Sequence, residues 1–162
     1  MKKWFYVLAL SALAFYGCKK DEGCNAPAPA ITASAAEKTY LQNYLTANNI
    51  TATEKNGMFY VISSQGTAAS PNLCSKITVD YVGKLINGTS DGAQFDASQP
   101  NSPFVSELKN LIQGWQVVLP LVKAGGTVSL YIPPSLGYGS QASGPIPANS
   151  YLKFVITLKA VN

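Results

Sequence analysis

Histidine and arginine are both absent from this chain of 162 residues. Without an imidazole there is no Ser-His-Asp or Cys-His nucleophilic device and no His-ligated zinc site. Without arginine, and with the lysines scattered, the formal charge of +4 lacks the clustering that marks a nucleic-acid footprint. Nucleic acid is therefore excluded as a partner. Cysteine is scarce: Cys18, Cys24 and Cys74 are too far apart for a Cys-x-x-Cys metal knuckle. Neither a Gly-x-Gly-x-x-Gly turn nor a Gly-Lys-Ser/Thr phosphate loop occurs. Charged residues make up only 12% against 47% hydrophobic, which suits a chain that buries a core rather than a disordered one. The chemistry left open needs no metal, no cofactor and no imidazole base.

What is present begins with a positive start, Lys2 and Lys3, and an apolar stretch from Trp4 to Tyr16. That stretch is too short for a spanning helix, which takes about 20 residues, and reads as a secretory signal over residues 1–17. Leu13-Ala14-Phe15-Tyr16-Gly17-Cys18 resembles a bacterial lipoprotein signal, in which Cys18 becomes the lipidated first residue. The resemblance implies a membrane lipid anchor in the cell envelope, on the periplasmic side or the outer membrane. Each buried CH2 of its acyl chains adds about 0.8 kcal/mol. Ordinary secretion with an incidental cysteine is the alternative. Residues 18–34, with Lys19-Lys20-Asp21-Glu22 and Ala26-Pro27-Ala28-Pro29-Ala30, read as a solvated, semi-extended linker. In an oxidising compartment Cys24 and Cys74 are an available pair, at a separation the sequence does not show.

Residues 35–56 read as an N-terminal helical extension. Tyr40, Leu41, Tyr44 and Leu45 form an apolar stripe at helical spacing, and Ser34 with Glu37 forms a capping box. From Gly57 the pattern turns to strands. Met58 to Ile62 is a continuous apolar run. Ile77, Val79 and Tyr81 alternate with polar neighbours, as do Val128, Leu130 and Ile132, and Leu152, Phe154, Ile156 and Leu158. Asn87-Gly88 and Asp91-Gly92 are turn signals. A short helix is predicted around Trp115, Val118, Leu119 and Val122, shortened by Pro120. The fold class expected is α+β: an antiparallel sheet of five to six strands wrapped on one short helix, behind an N-terminal helical extension.

Several segments, in order, resemble the FKBP family of peptidyl-prolyl cis-trans isomerases. They are Val79-Asp80-Tyr81-Val82-Gly83, Phe95-Asp96-Ala97-Ser98, Pro103-Phe104, Leu111-Ile112-Gln113-Gly114-Trp115, Tyr131 to Gly139, Ile146-Pro147-Ala148-Asn149 and Leu152-Lys153-Phe154. The resemblance implies an FKBP-like isomerase domain over residues 57–162. It also implies a proline pocket with Trp115 as floor and Tyr81, Phe104, Leu111, Ile112 and Phe154 as walls, with Phe95 among the substrate-contacting residues. Tyr138 would offer its hydroxyl at the rim, the Ile112 N–H would bind a substrate carbonyl, and Asp96 would face the Tyr81 hydroxyl. Ile146 would come from a loop closing over the site. Asp96, Tyr138, Ile112 and Tyr81 are the expected catalytic set. Relative to the family, the link before Phe95 is lengthened at Thr89 to Gln94, an insertion that could bulge the strand and re-aim the Asp96 carboxylate.

This chemistry matches the missing histidines. An X-Pro bond rotates over a barrier of about 18–20 kcal/mol set by amide resonance, in tens to hundreds of seconds unaided. An apolar aromatic bowl penalises the planar, polar amide more than the twisted one, which is differential binding of the transition state. No nucleophile or titrating base is required. The expected partners are unfolded or partly folded proline-containing proteins. The competing reading is a non-catalytic binding module or chaperone that holds proline-containing segments in the same bowl.

Overall fold

The computed structural model describes Cys24 and residues 26–162. The leader at residues 1–17 and the lipidation candidate Cys18 lie outside the described residues. Helix α1 spans Ala35–Ala47, followed by strands β1 (Thr53–Lys55), β2 (Met58–Ser64), β3 (Lys76–Asn87), β4 (Ser90–Ala97) and β5 (Phe104–Glu107). Helix α2 (Gln113–Val118) comes next, then β6 (Thr127–Ile132) and β7 (Tyr151–Val161). The strands form one antiparallel sheet of seven in the order β1-β2-β6-β7-β3-β4, with β5 also paired to β3.

Seven strands exceed the five to six expected, because β1, β4 and β5 lack an alternating signature. All three β1 residues are exposed, and β4 and β5 are exposed or half-buried throughout. Asn87-Gly88 does turn the chain, with Gly88 at a φ of 61°. Asp91-Gly92, expected as a second turn, instead lies inside β4. Its extra residues are absorbed as register shifts opposite Gly83 to Ile86, the bulging that an insertion into an antiparallel ladder produces.

The alternation in β6 and β7 sorts side chains onto two faces. Val128, Leu130, Ile132, Leu152, Phe154, Ile156 and Leu158 join Trp115, Val118 and Leu119 in the main core beneath α2. Gly114 allows that approach, because a Cβ there would meet Ile132 at 2.7 Å. Pro120 ends the α-helical part, and Leu119–Leu121 continues as one 3-10 turn. The opposite face is covered by α1, whose Leu41, Tyr44 and Leu45 are buried against Phe59, Ile86 and Tyr131. Two covered faces explain the unbroken apolar run of β2: Met58 belongs to the α2 side, while Phe59 and Val61 belong to the α1 side. Each buried Leu of α1 contributes about 1.5–3 kcal/mol, so the helix is held on its own domain.

The capping box is present, with Glu37 N–H donating to Ser34 Oγ at 3.2 Å and Ser34 N–H donating to Glu37 Oε2 at 2.9 Å. Polar contacts lock the other end of α1 to the β4 insertion. The Tyr44 hydroxyl donates to Asp91 Oδ1, and Lys153 Nζ contacts both Asp91 oxygens at 3.0 and 3.1 Å. Burial pushes the Asp91 carboxyl up, but Tyr44, Lys153 and Lys84 together outweigh it and hold the group below its ordinary value. A folded pKa below the unfolded one contributes stability above the unfolded value, lost as pH falls through the folded one. Asp91→Asn is therefore expected to lower unfolding free energy by about 1 kcal/mol near neutrality. That deficit should close as pH drops below the ordinary Asp value of 3.8. Urea titrations of both proteins from pH 7 to pH 3 check this; a deficit independent of pH would contradict it.

Candidate active site

The site forms where β3 changes partners. Val79 is the last residue of β3 paired to β5, and Val82 is the first paired to β4. Asp80 and Tyr81 fall in the interval, with β7 on their other side. Ser98, just beyond β4, fills the gap. It donates its N–H to the Tyr81 carbonyl at 3.0 Å and accepts from the Tyr81 N–H on its Oγ at 3.1 Å. The splayed edge leaves a pocket of about 140 Å³ lined by Tyr81, Asp96, Phe104, Leu111, Ile112, Trp115, Tyr138 and Phe154.

Its floor and walls are aromatic rings set edge to face. Tyr81 lies 5.5 Å from Trp115 at 79° and 5.8 Å from Phe104 at 78°, while Trp115 and Phe154 meet at 5.3 Å and 87°. Such pairs add about 0.5–1.5 kcal/mol each beyond burial, which keeps the bowl rigid when empty. Trp115 is only 4% exposed, at the base, whereas Phe104 and Tyr138 are 37% and 38% exposed, at the mouth. The Trp115 Nε1–H is buried without an acceptor among the described residues.

Polar groups are few and placed at the edge. The Tyr81 hydroxyl donates to Asp96 Oδ2 at 2.5 Å, and Asp96 Oδ1 accepts from the Ala97 N–H at 2.9 Å. Burial, then the hydrogen bond to Asp96, raises the Tyr81 pKa well above the tyrosine range. Burial and the Asp96 charge raise that of Tyr138 as well. Both hydroxyls thus stay protonated donors across physiological pH. The Ile112 N–H, at the start of α2, makes no hydrogen bond among the described residues. The bowl can therefore receive an apolar ring, strip water from an adjoining amide and offer it a backbone donor.

The structure brings together Tyr81, Asp96, Phe104, Leu111, Ile112, Trp115, Tyr138 and Phe154. Phe95 and Ile146 sit outside that bowl, lining a neighbouring depression with Ser143, Gly144 and Pro145 that shares Asp96 and Tyr138 with it. Phe95 packs edge-on against Phe154 at 5.4 Å, in space left by Gly83, whose Cβ would meet both rings below 3.0 Å. Ile146 is 4% exposed and belongs to the main core, pinned by reciprocal N–H to carbonyl bonds with Ser143. The bulge in β4 leaves the Asp96 carboxylate on the Tyr81 hydroxyl. Ser98 is a positioning residue that sequence reasoning missed. Its only signal was its place in the Phe95-Asp96-Ala97-Ser98 segment.

Comparison with known proteins agrees with this geometry. The FKBP-type peptidyl-prolyl cis-trans isomerase family matches residues 68–159. The chain is 40% identical over 123 residues to the FKBP-type peptidyl-prolyl cis-trans isomerase FkpA of Buchnera aphidicola, covering 75% of this chain and 47% of that protein. It is 36% identical over 107 residues to the outer membrane protein MIP of Legionella longbeachae, covering 65% of this chain and 44% of that one. The crystal structure of FkpA from Escherichia coli superposes with a TM-score of 0.63 at 30% identity, covering 78% of this chain and 62% of the other. This chain thus spans about half the length of these curated relatives. With more than half of its residues matched by one family and the pocket formed by the segments that carry the match, the chain belongs to the FKBP-type peptidyl-prolyl cis-trans isomerase family.

Proposed function

We propose that this chain accelerates cis-trans rotation about X-Pro bonds in unfolded or partly folded proteins of the cell envelope, anchored there through lipid on Cys18. The observation that carries the catalytic reading is the rigid aromatic bowl with its polar groups confined to one edge. The proline ring would rest on Trp115 between Tyr81, Phe104 and Phe154. The amide preceding it would then lie in apolar surroundings that favour the twisted over the planar form. The Ile112 N–H would hold a substrate carbonyl, the Tyr138 hydroxyl would donate at the mouth, and Asp96 would fix the Tyr81 ring through its hydroxyl. Phe95 and Ile146 would meet residues flanking the proline in the adjoining depression. A barrier lowered by about 1.4 kcal/mol gives each tenfold in rate, within reach of a fitted pocket and two hydrogen bonds.

The envelope assignment is supported by the leader pattern before Cys18 and by a relative named as an outer membrane protein. In this reading residues 1–17 are removed, residues 18–34 link the lipid to the domain and are pinned to it through the Cys24–Cys74 bond, residues 35–56 brace the sheet and residues 57–162 carry the activity. The first test is the cis-to-trans rate of a Leu-Pro or Phe-Pro peptide with the purified chain. Acceleration proportional to protein concentration is expected. A folded chain that binds the peptide without accelerating it would point to the holding module instead.

A further inference from the structure

One side chain controls the peptide group that the proposed mechanism uses as its donor. Gln116, on α2 directly after Trp115, sends its Nε2 to the Leu111 carbonyl at 2.6 Å and to the Lys109 carbonyl at 3.1 Å. The Leu111 carbonyl and the Ile112 N–H belong to one planar trans peptide, so they point in opposite directions. Fixing the carbonyl toward α2 fixes the N–H away from it, on the side where Leu111 and Ile112 line the pocket. The turn before it, Leu108–Asn110, is held independently, by Leu108 N–H to the Ser75 carbonyl at 3.0 Å and Lys109 N–H to the Leu73 carbonyl at 2.8 Å. Only Gln116 grips the Leu111 carbonyl among the described residues. A hydrogen bond at a carbonyl also polarises its peptide and strengthens the N–H as a donor.

We propose that Gln116 is a positioning residue for catalysis, orienting and polarising the Leu111–Ile112 peptide so that the Ile112 N–H meets the substrate carbonyl. The inference rests on the isomerase reading of the same pocket. It does not depend on Gln116 touching substrate, since its amide faces away from the bowl toward the main chain.

The experiment compares wild type, Gln116→Met and Gln116→Glu in peptide isomerisation, with residual dipolar couplings of the Ile112 N–H measured on each protein. Gln116→Met keeps length and bulk but has no donor, and is expected to lower kcat/KM about five- to tenfold with a changed Ile112 coupling. Gln116→Glu should be equally impaired at pH 7, where the introduced carboxylate repels both carbonyls. Its carboxyl can donate only when protonated, which the two carbonyl acceptors favour, raising its pKa above the ordinary value of about 4.3. Its activity relative to wild type should therefore recover as pH falls from 7 to 5, a profile that lost packing would not produce. Rates within twofold of wild type, or an impairment of Gln116→Glu that does not change with pH, would overturn the proposal. If the wild type itself fails to isomerise the peptide, the functional reading falls. The clamp is then judged by the Ile112 couplings alone: a change in Gln116→Met upholds it, and none refutes it.

Discussion

Changing Asp96 to Val and Tyr138 to Phe together is expected to cut kcat/KM on a Leu-Pro peptide by roughly a hundredfold while the domain keeps its fold. Asp96 is exposed, and among the described residues its carboxylate hydrogen-bonds only the Tyr81 hydroxyl and the Ala97 N–H. Removing it takes away the acceptor that fixes the Tyr81 hydroxyl, on a ring that packs against Phe104, Trp115 and Phe154 and so couples the aromatic parts of the bowl. The Asp96 hydrogen bond involves a charged group, worth about 1.5–3 kcal/mol, and a neutral donor such as the Tyr138 hydroxyl is worth about 0.5–1.5 kcal/mol, which together correspond to roughly a hundredfold if felt in the transition state. Tyr138 stands 38% exposed at the mouth, so loss of its hydroxyl removes a donor without opening a cavity. Circular dichroism and urea midpoints should stay near wild type. An unchanged rate in the double variant would mean that catalysis occurs elsewhere. Trp115→Ala would also abolish activity but says less about mechanism, since deleting a buried aromatic costs about 3–5 kcal/mol of stability.

Loss of the Cys24–Cys74 bond should produce the largest change in stability among conservative substitutions. The two cysteines are joined across 50 residues with Cα atoms 5.6 Å apart. Closing a loop of that length in the unfolded chain removes entropy worth about 4 kcal/mol in the chain-entropy treatment, and measured values for native bridges run about 2–5 kcal/mol. On the folded side, Cys24 ties the strap at residues 26–33 across the back of α2. Ala28 and Pro29 share a groove of about 480 Å³ with Leu73, Gln116, Val117 and Pro120. The strap's far end is held by the Ala33 N–H to the Asn56 carbonyl at 2.9 Å. Cys24→Ser with Cys74→Ser is therefore expected to lower unfolding free energy by about 2–4 kcal/mol, read from urea melts under oxidising conditions. Reductant should bring wild type to the same value. A change below about 1 kcal/mol would contradict this and show that the unfolded chain is already compact enough there for the bond to add little.

The sequence by itself determined the long elements and their faces. Period-two alternation in β6 and β7 and the helical stripe of α1 arise from burial on one side, and burial on one side writes a periodic signal into any chain. The ordered segments from Val79 to Phe154 pointed to the bowl only through their resemblance to the FKBP family, since by periodicity alone Trp115 and Phe154 read as core. The tertiary structure alone decided what depends on partners distant in the chain. Strands β1, β4 and β5 are exposed at the sheet's margins, so main-chain pairing forms them and no hydrophobic pattern records it. Asp91 looked like a turn residue because Asp-Gly favours turns, yet Tyr44 and Lys153 hold it within β4. Phe95 and Ile146 line the depression beside the bowl because Gly83 leaves room for the edge-on Phe95–Phe154 pair and the Ser143 bonds draw Ile146 inward. Gln116 read as one polar residue on a short helix; its grip on the Leu111 carbonyl five residues earlier is local, but it depends on the turn that the Leu108 and Lys109 bonds to Ser75 and Leu73 hold in place, which no periodicity records.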